Sequence, residues 1–145
     1  MSINMHAYKA IEAVVGSNYI TDDPVDCEGY RSGPGGYESG TGYERVMTKI
    51  AGAVVMPRTT EDVQKIVKIC RRYKLPFVPY STGFYGPRSH PHVEHELIID
   101  MKRMRDFSID PKHFSITVQP GVIYSQIQQI CFENGAYVVI GGGGA

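Results

Sequence analysis

The sequence lacks several features that mark whole classes of protein. It has no tryptophan, and its three cysteines stand too far apart for a short metal-ligand pair. A small, odd number of cysteines indicates core thiols in a reducing compartment rather than a secreted disulfide scaffold. Fifteen basic residues balance fifteen acidic ones, so no overall charge favours nucleic acid or an anionic membrane as a partner.

Long apolar runs are missing too. No stretch approaches the roughly 18 apolar residues of a membrane span, and the first residues lack the basic and apolar segments of a secretory leader. We therefore expect a cytoplasmic protein with no membrane partner. The length of 145 residues and the hydrophobic fraction of 42% suffice for a single core.

Motifs of nucleophilic and metal-dependent catalysis are also absent. The chain has no GxSxG, no HExxH and no P-loop lysine. His90, His92 and His95 lie in a short HPHVEH segment, but no further ligand follows at a recognised spacing. The residues therefore predict surface or ligand-edge histidines, no metal, and no identifiable catalytic side chain.

The apolar patterning indicates an α/β fold, or α+β, built from strand-helix-strand units. An amphipathic helix is predicted over about 5–16, ended by Gly16, and a second begins at Thr59 or Thr60. The apolar face of the second helix is expected to hold Val63, Ile66, Val67, Cys70 and Tyr73. Strands are predicted at 53–56, 77–79, 97–100 and 107–110. A second unit of the same shape is expected from a strand at 115–118, a helix carrying Ile123, Ile127, Ile130 and Cys131, and a strand at 137–140.

A glycine-rich segment precedes the α/β part. Six glycines occur from Gly29 to Gly42, which predicts a surface loop or extended arm. Its tyrosines at 30, 37 and 43 either stack on an aromatic ligand or belong to an exposed interface arm. We expect residues 1–49 to form an N-terminal helix and glycine-rich arm, and residues 50–145 to form the main domain.

Three glycine-containing turns are candidate binding elements. In the loop after the strand at 77–79, two glycines free the backbone while Ser81, Thr82 and Arg88 supply donors, which suits a phosphate or merely makes a connecting turn. Gly121 follows a strand and opens a helix, where free amides could meet a ligand oxygen. The four glycines at 141–144 either allow close approach of a ligand or form a flexible chain end.

Three segments together resemble a known family: AGAVVMPRTTEDVQKIVKICRRYKLPFVPYSTGFYG, LIIDMKRM and SITVQPGVIYSQI. In order and spacing they are similar to the N-terminal half of the FAD-binding domain of the vanillyl-alcohol oxidase and p-cresol methylhydroxylase flavoprotein superfamily. The resemblance covers residues of about 50 to 140. It implies a PCMH-type FAD-binding subdomain with FAD as the cofactor.

The resemblance also implies which residues hold the FAD pyrophosphate. The first turn would comprise Ser81, Thr82, Gly83, Phe84, Tyr85 and Gly86, with Arg88 replacing polar residues of the family's turn. Gly121 and Val122 would line the far side, and Gly142 and Gly143 are expected to meet the cofactor closely. Where family members tether FAD through a histidine in the first turn, this chain has Phe84, so covalent attachment from that turn is not expected.

The function implied is oxidation of an alcohol, hydroxy acid or alkylphenol by hydride transfer to FAD. Family members continue with a second half of the FAD domain and a substrate domain. A second polypeptide or a missing region is therefore expected to complete the site for a small-molecule substrate, and the protein is expected to be oligomeric. The alternative is a non-catalytic assembly subunit or fragment that keeps the fold.

Overall fold

The computed structural model describes residues 3–31, 49–81 and 90–139. In these ranges the chain forms a mixed α/β structure, as the sequence predicts. The helices are α1 Met5–Val15, α2 Pro24–Glu28, α3 Thr60–Tyr73 and α4 Tyr124–Glu133. The strands are β1 Ile20–Thr21, β2 Ala53–Val55, β3 Phe77–Tyr80, β4 Leu97–Asp100, β5 Phe107–Asp110 and β6 Ser115–Val118.

The main sheet has the strand order β1-β2-β4-β3. β4 pairs in parallel with both β2 and β3, whereas β1 pairs antiparallel with β2. Every residue of β2 and β4 is buried, because α1 and α3 pack on one face of the sheet and α2 packs on the other. The chain crosses from β2 to β3 through α3 and returns to place β4 between them.

Helix α3 begins with a capping box, in which Thr59 and Asp62 bond each other's backbone amides. Its C-cap is Lys74, which has a positive φ of 52°. The prediction that Val67 lies on the buried face is wrong, because that side chain is exposed. Ile69 packs against the core instead, since it continues the i, i+3 stripe from Ile66.

The core has one cluster on each face of the main sheet. On the first, α1 and α3 pack against Val55 and Ile99, among others. On the other, Cys27 of α2 packs with Val54 and Ile98. Residues of the N-terminal segment therefore belong to the same core as the sheet. The domain division at residue 50 remains a prediction, and residues 32–48 of the expected glycine-rich arm lie outside the described ranges.

The expected second strand-helix-strand unit is wrong in its pairing. β6 pairs antiparallel with β5 in a separate two-stranded sheet, and residues 136–139 form no strand. They are bonded to α4 instead, since Tyr124 donates its hydroxyl to the Val138 carbonyl and the Ala136 amide bonds the Cys131 carbonyl. Ile140 lies outside the described residues.

The prediction that the cysteines are core thiols is confirmed, because Cys27, Cys70 and Cys131 are all buried. Burial raises the pKa of the Cys27 and Cys70 thiols to about 11. Over the described ranges, no helix has the length and apolar character needed to span a membrane.

Candidate functional site

The carboxyl ends of the parallel strands β2, β4 and β3 lie at one edge of the main sheet. Met56, Met101 and Ser81 are the residues that follow these strands. In open α/β sheets, ligands bind at this edge because loops from neighbouring strands diverge there and leave a crevice. The edge is therefore where a cofactor site is expected.

The residue that begins the first predicted glycine turn, Ser81, contacts the second turn at this edge. The Ser81 hydroxyl donates a hydrogen bond to the backbone carbonyl of Pro120, although the two residues are 39 positions apart. The structure therefore brings the start of the first turn against the Pro120-Gly121 turn.

Gly121 is buried against the segment that follows β4. A Cβ at this position would lie 2.5 Å from the Met101 carbonyl oxygen and 2.7 Å from that of Met104. The Gly121 amide donates to the Met104 carbonyl at 2.8 Å, and the Val122 amide donates to the Gln119 carbonyl at 3.1 Å. The expectation that these amides are free for a ligand is therefore wrong, because protein carbonyls already accept them. Close backbone packing is what requires a glycine here.

A polar network lies at the ends of β3 and β4, and sequence reasoning missed it. Asp100 is fully buried, and its carboxylate accepts the Tyr30 hydroxyl at 2.5 Å and the Lys102 amide at 2.9 Å. The Lys102 ammonium lies 3.3 Å from the same carboxylate. Burial, then the bond to Asp100, raises the pKa of Tyr30 well above its ordinary value. One sequence feature could have pointed to this network: an aspartate, Asp100, ends the otherwise apolar run LIID.

Aromatic rings surround this network. The Tyr80 ring packs edge-on against Tyr30 at 4.9 Å and against His90 at 5.7 Å between centroids. Nδ1 of the buried His90 lies 2.6 Å from the Tyr30 carbonyl oxygen. Tyr30 is therefore partly buried against the core rather than fully exposed in an arm, while Tyr37 and Tyr43 lie outside the described residues.

The three histidines predicted at the loop before β4 differ in burial. His90 is buried beside Tyr80, whereas His92 and His95 are exposed. The buried Glu96 carboxylate accepts the backbone amides of His92 and Val93, which shapes the loop before β4. No group of three or more histidine, cysteine or acidic side chains that could hold a metal occurs among the described residues.

A polar cavity of about 290 Å³ lies beyond the end of β2. Its lining residues are Arg58, Thr59, Thr60, Glu61, Arg103, Asp106 and Gln119. The Arg103 guanidinium is already engaged, because it donates to the Met56 carbonyl at 2.8 Å and lies over the Tyr19 ring. Basic and acidic side chains are mixed in this cavity, so its lining favours no single ligand charge.

The remaining predicted site residues lie outside the described ranges. They are Thr82, Gly83, Phe84, Tyr85, Gly86, Arg88, Gly142 and Gly143. Their roles stay predictions, as do the FAD contacts expected of Ser81, Gly121 and Val122.

Comparison with known proteins identifies the family. The model of the FAD binding domain family matches residues 51–143. The chain is 32% identical over 108 residues to the flavoprotein subunit of 4-cresol dehydrogenase (hydroxylating) from Pseudomonas putida, covering 68% of this chain and 20% of that protein. It is 27% identical over 85 residues to a probable mitochondrial D-lactate dehydrogenase from Danio rerio, and this match covers 58% of this chain and 17% of that protein.

A solved structure agrees with the sequence matches. The 4-ethylphenol oxidase from Gulosibacter chungangensis, in its isoeugenol complex, superposes with a TM-score of 0.75 and 25% identity. The superposition covers 95% of this chain but 27% of that one. The chain thus spans between 17% and 27% of the length of these three proteins. With the family model covering most of its length, the chain belongs to the FAD binding domain family.

Proposed function

We propose that this chain is the FAD-binding portion of an oxidoreductase that oxidises an alcohol, hydroxy acid or alkylphenol. Bound FAD would accept the hydride from the substrate. The observation that carries the proposal is the contact between Ser81 and Pro120, which joins the residue after β3 to the Pro120-Gly121 turn at the carboxyl edge of the parallel sheet in a chain of this family. The names of the relatives, a cresol dehydrogenase and a D-lactate dehydrogenase, support the substrate classes.

The described residues at this edge fit an anionic dinucleotide. Lys102 supplies a cation beside the rings of Tyr30 and Tyr80, and Gly121 lets the second turn pack closely against the segment after β4. The residues that we propose to contact FAD are Ser81, Thr82, Gly83, Phe84, Tyr85, Gly86, Arg88, Gly121, Val122, Gly142 and Gly143. Since the amides of Gly121 and Val122 are engaged, their proposed contribution is to shape the site.

We also propose that further polypeptide completes the site, whether in a longer chain or in a partner that makes the protein oligomeric. Large apolar side chains of β5, β6, α4 and the segments beside them are exposed. Phe114 is 95% exposed, Val139 80%, Tyr137 64% and Phe132 62%. Removing apolar surface from water is favourable by about 25 cal/mol per Å². This supports the proposal that further polypeptide covers these side chains. That polypeptide would also supply the catalytic side chains and the rest of the pocket for a small-molecule substrate.

The proposed compartment is the cytoplasm. Three buried thiols without a disulfide among the described residues support a reducing environment. The balanced charge of the chain supports a proposal without a nucleic-acid partner.

The test is to purify the full protein or complex that contains this chain and to record its flavin spectrum. Anaerobic addition of a 4-alkylphenol, D-lactate or glycolate is expected to bleach the flavin bands with one of these substrates, because reduction removes the oxidised chromophore. A protein that holds no flavin would refute the proposal and favour the non-catalytic assembly subunit. A protein that holds flavin but stays oxidised with all three would refute the substrate classes alone.

A further inference from the structure

We propose that the Lys102 ammonium is a fixed cation that binds the diphosphate of FAD at the ends of β3 and β4. The inference rests on the proposed function and deepens it, because it assigns the charge that pairs with the cofactor. Lys102 lies in the short 3-10 helix Met101–Arg103 that follows β4, outside the glycine turns that the family resemblance implies.

Lys102 lies beside the end of β3 and against the second turn. Its Nζ lies 4.9 Å from the centroid of the Tyr80 ring, and Tyr80 directly precedes Ser81. Its backbone carbonyl carbon would lie 3.0 Å from a Cβ at Gly121, so the second turn packs on the same residue. The Lys102 ammonium is therefore near the residue from which the first turn begins, and its backbone contacts the second turn.

Three contacts hold the side chain in one place. The buried Asp100 carboxylate lies 3.3 Å from Nζ, and the rings of Tyr30 and Tyr80 lie 5.2 and 4.9 Å from it. A free lysine side chain loses up to about 2 kcal/mol of conformational entropy when it is fixed. Because Asp100 and the rings have already restricted Lys102, less of that cost falls on ligand binding.

The ammonium retains capacity for an anion. It has three N–H donors, and in the described part of the chain Asp100 is its one carboxylate partner. That carboxylate also accepts the Tyr30 hydroxyl and the Lys102 amide, so two neutral donors share in stabilising its charge. The Lys102 side chain is 44% exposed, and its open side can receive a phosphate oxygen.

The experiment compares ligands that differ in phosphate. Apoprotein of the full protein or complex that contains this chain is titrated with FAD and, separately, with riboflavin, and quenching of flavin fluorescence gives both dissociation constants. Lys102→Gln is expected to weaken FAD binding about tenfold at low salt, as loss of one charge-assisted hydrogen bond predicts. Riboflavin affinity is expected to stay unchanged, because riboflavin carries no phosphate.

The matched control is Lys112→Gln, which removes an exposed lysine from the turn between β5 and β6 and is expected to leave both affinities unchanged. Lys102→Arg keeps the charge and is expected to retain most of the FAD affinity, which separates charge from folding if the glutamine variant is unstable. Equal FAD affinity of the lysine and glutamine proteins, an equal loss for riboflavin, or an arginine variant as weak as glutamine would overturn the proposal. A parent protein that binds neither ligand would instead refute the proposed function.

Discussion

Gly121→Ala is expected to destabilise the protein more than any ordinary glycine-to-alanine change. The new Cβ would lie 2.5 and 2.7 Å from the carbonyl oxygens of Met101 and Met104, distances that atoms in folded proteins do not tolerate. Both obstacles are backbone atoms, so a change of side-chain rotamer cannot relieve them. The turn itself must move away from the segment after β4.

The size of the effect follows from the cost of overpacking. Inserting a carbon into a filled site costs about 1–3 kcal/mol, and because the contacts here are with backbone we expect about 3 kcal/mol. For a chain of this size that corresponds to roughly 10 °C in melting temperature. Since Pro120 accepts the Ser81 hydroxyl, the displaced turn is also expected to weaken FAD binding.

Thermal denaturation followed by circular dichroism measures this cost, with Gly135→Ala as the control. Gly135 has a positive φ of 67°, but no atom lies within 4 Å of the place that an alanine Cβ would occupy there. Its substitution therefore carries only the left-handed backbone penalty of about 1 kcal/mol. A Gly121→Ala protein that melts at or above the Gly135→Ala protein would refute the argument that Gly121 is required by backbone packing.

Three further predictions concern single side chains. Tyr30→Phe removes a hydrogen-bond donor from the buried Asp100 carboxylate, and we expect the free energy of unfolding in urea to fall by about 2 kcal/mol. Cys70, whose thiol pKa burial raises to about 11, is expected to react with a disulfide reagent at neutral pH only after denaturation. His113→Ala removes the hydrogen bond that lowers the pKa of Asp110, so that pKa is expected to rise toward 3.8 in an NMR titration.

Each of these predictions has a result that contradicts it. Tyr137→Phe alters an exposed tyrosine and serves as the control. If it destabilises the protein as much as Tyr30→Phe, the loss in Tyr30→Phe cannot be attributed to the buried Asp100 carboxylate. Rapid labelling of native Cys70 would show that the helix face is open. Because the folded pKa of Asp110 is lowered, its stabilising effect is present above pH 3.8 and is lost as the pH falls through the folded value. An unchanged Asp110 pKa without His113 would contradict the stated cause.

Local patterns were sufficient for most elements of the fold. The capping residues of α3 and the periodicity of α1 each depend on neighbours within four positions, so both helices could be predicted from sequence. The strand Leu97–Asp100 was equally clear as an apolar run. The pairing of β6 was not, because strand register depends on partners that local periodicity does not identify.

The site could be predicted only where a motif marks it. The glycine turns stand out in the sequence, and the structure places Ser81 against Pro120. The bond between Tyr30 and Asp100 joins residues 70 positions apart, and no local pattern links them. The packing role of Gly121 was likewise hidden, because a glycine needed for close backbone contact has the same sequence signal as one that frees an amide for a ligand.

The central claim is that this chain supplies one part of an FAD site and that further polypeptide supplies the rest. The direct measurement is the ratio of flavin to protein after size-exclusion chromatography with FAD, for the 145-residue chain alone and for the larger protein or complex that contains it. We predict one FAD per chain in the larger assembly and little in the isolated chain, which is also expected to self-associate through its exposed apolar side chains. A monomeric isolated chain that retains one FAD and oxidises substrate, or a larger assembly without flavin, would contradict the account.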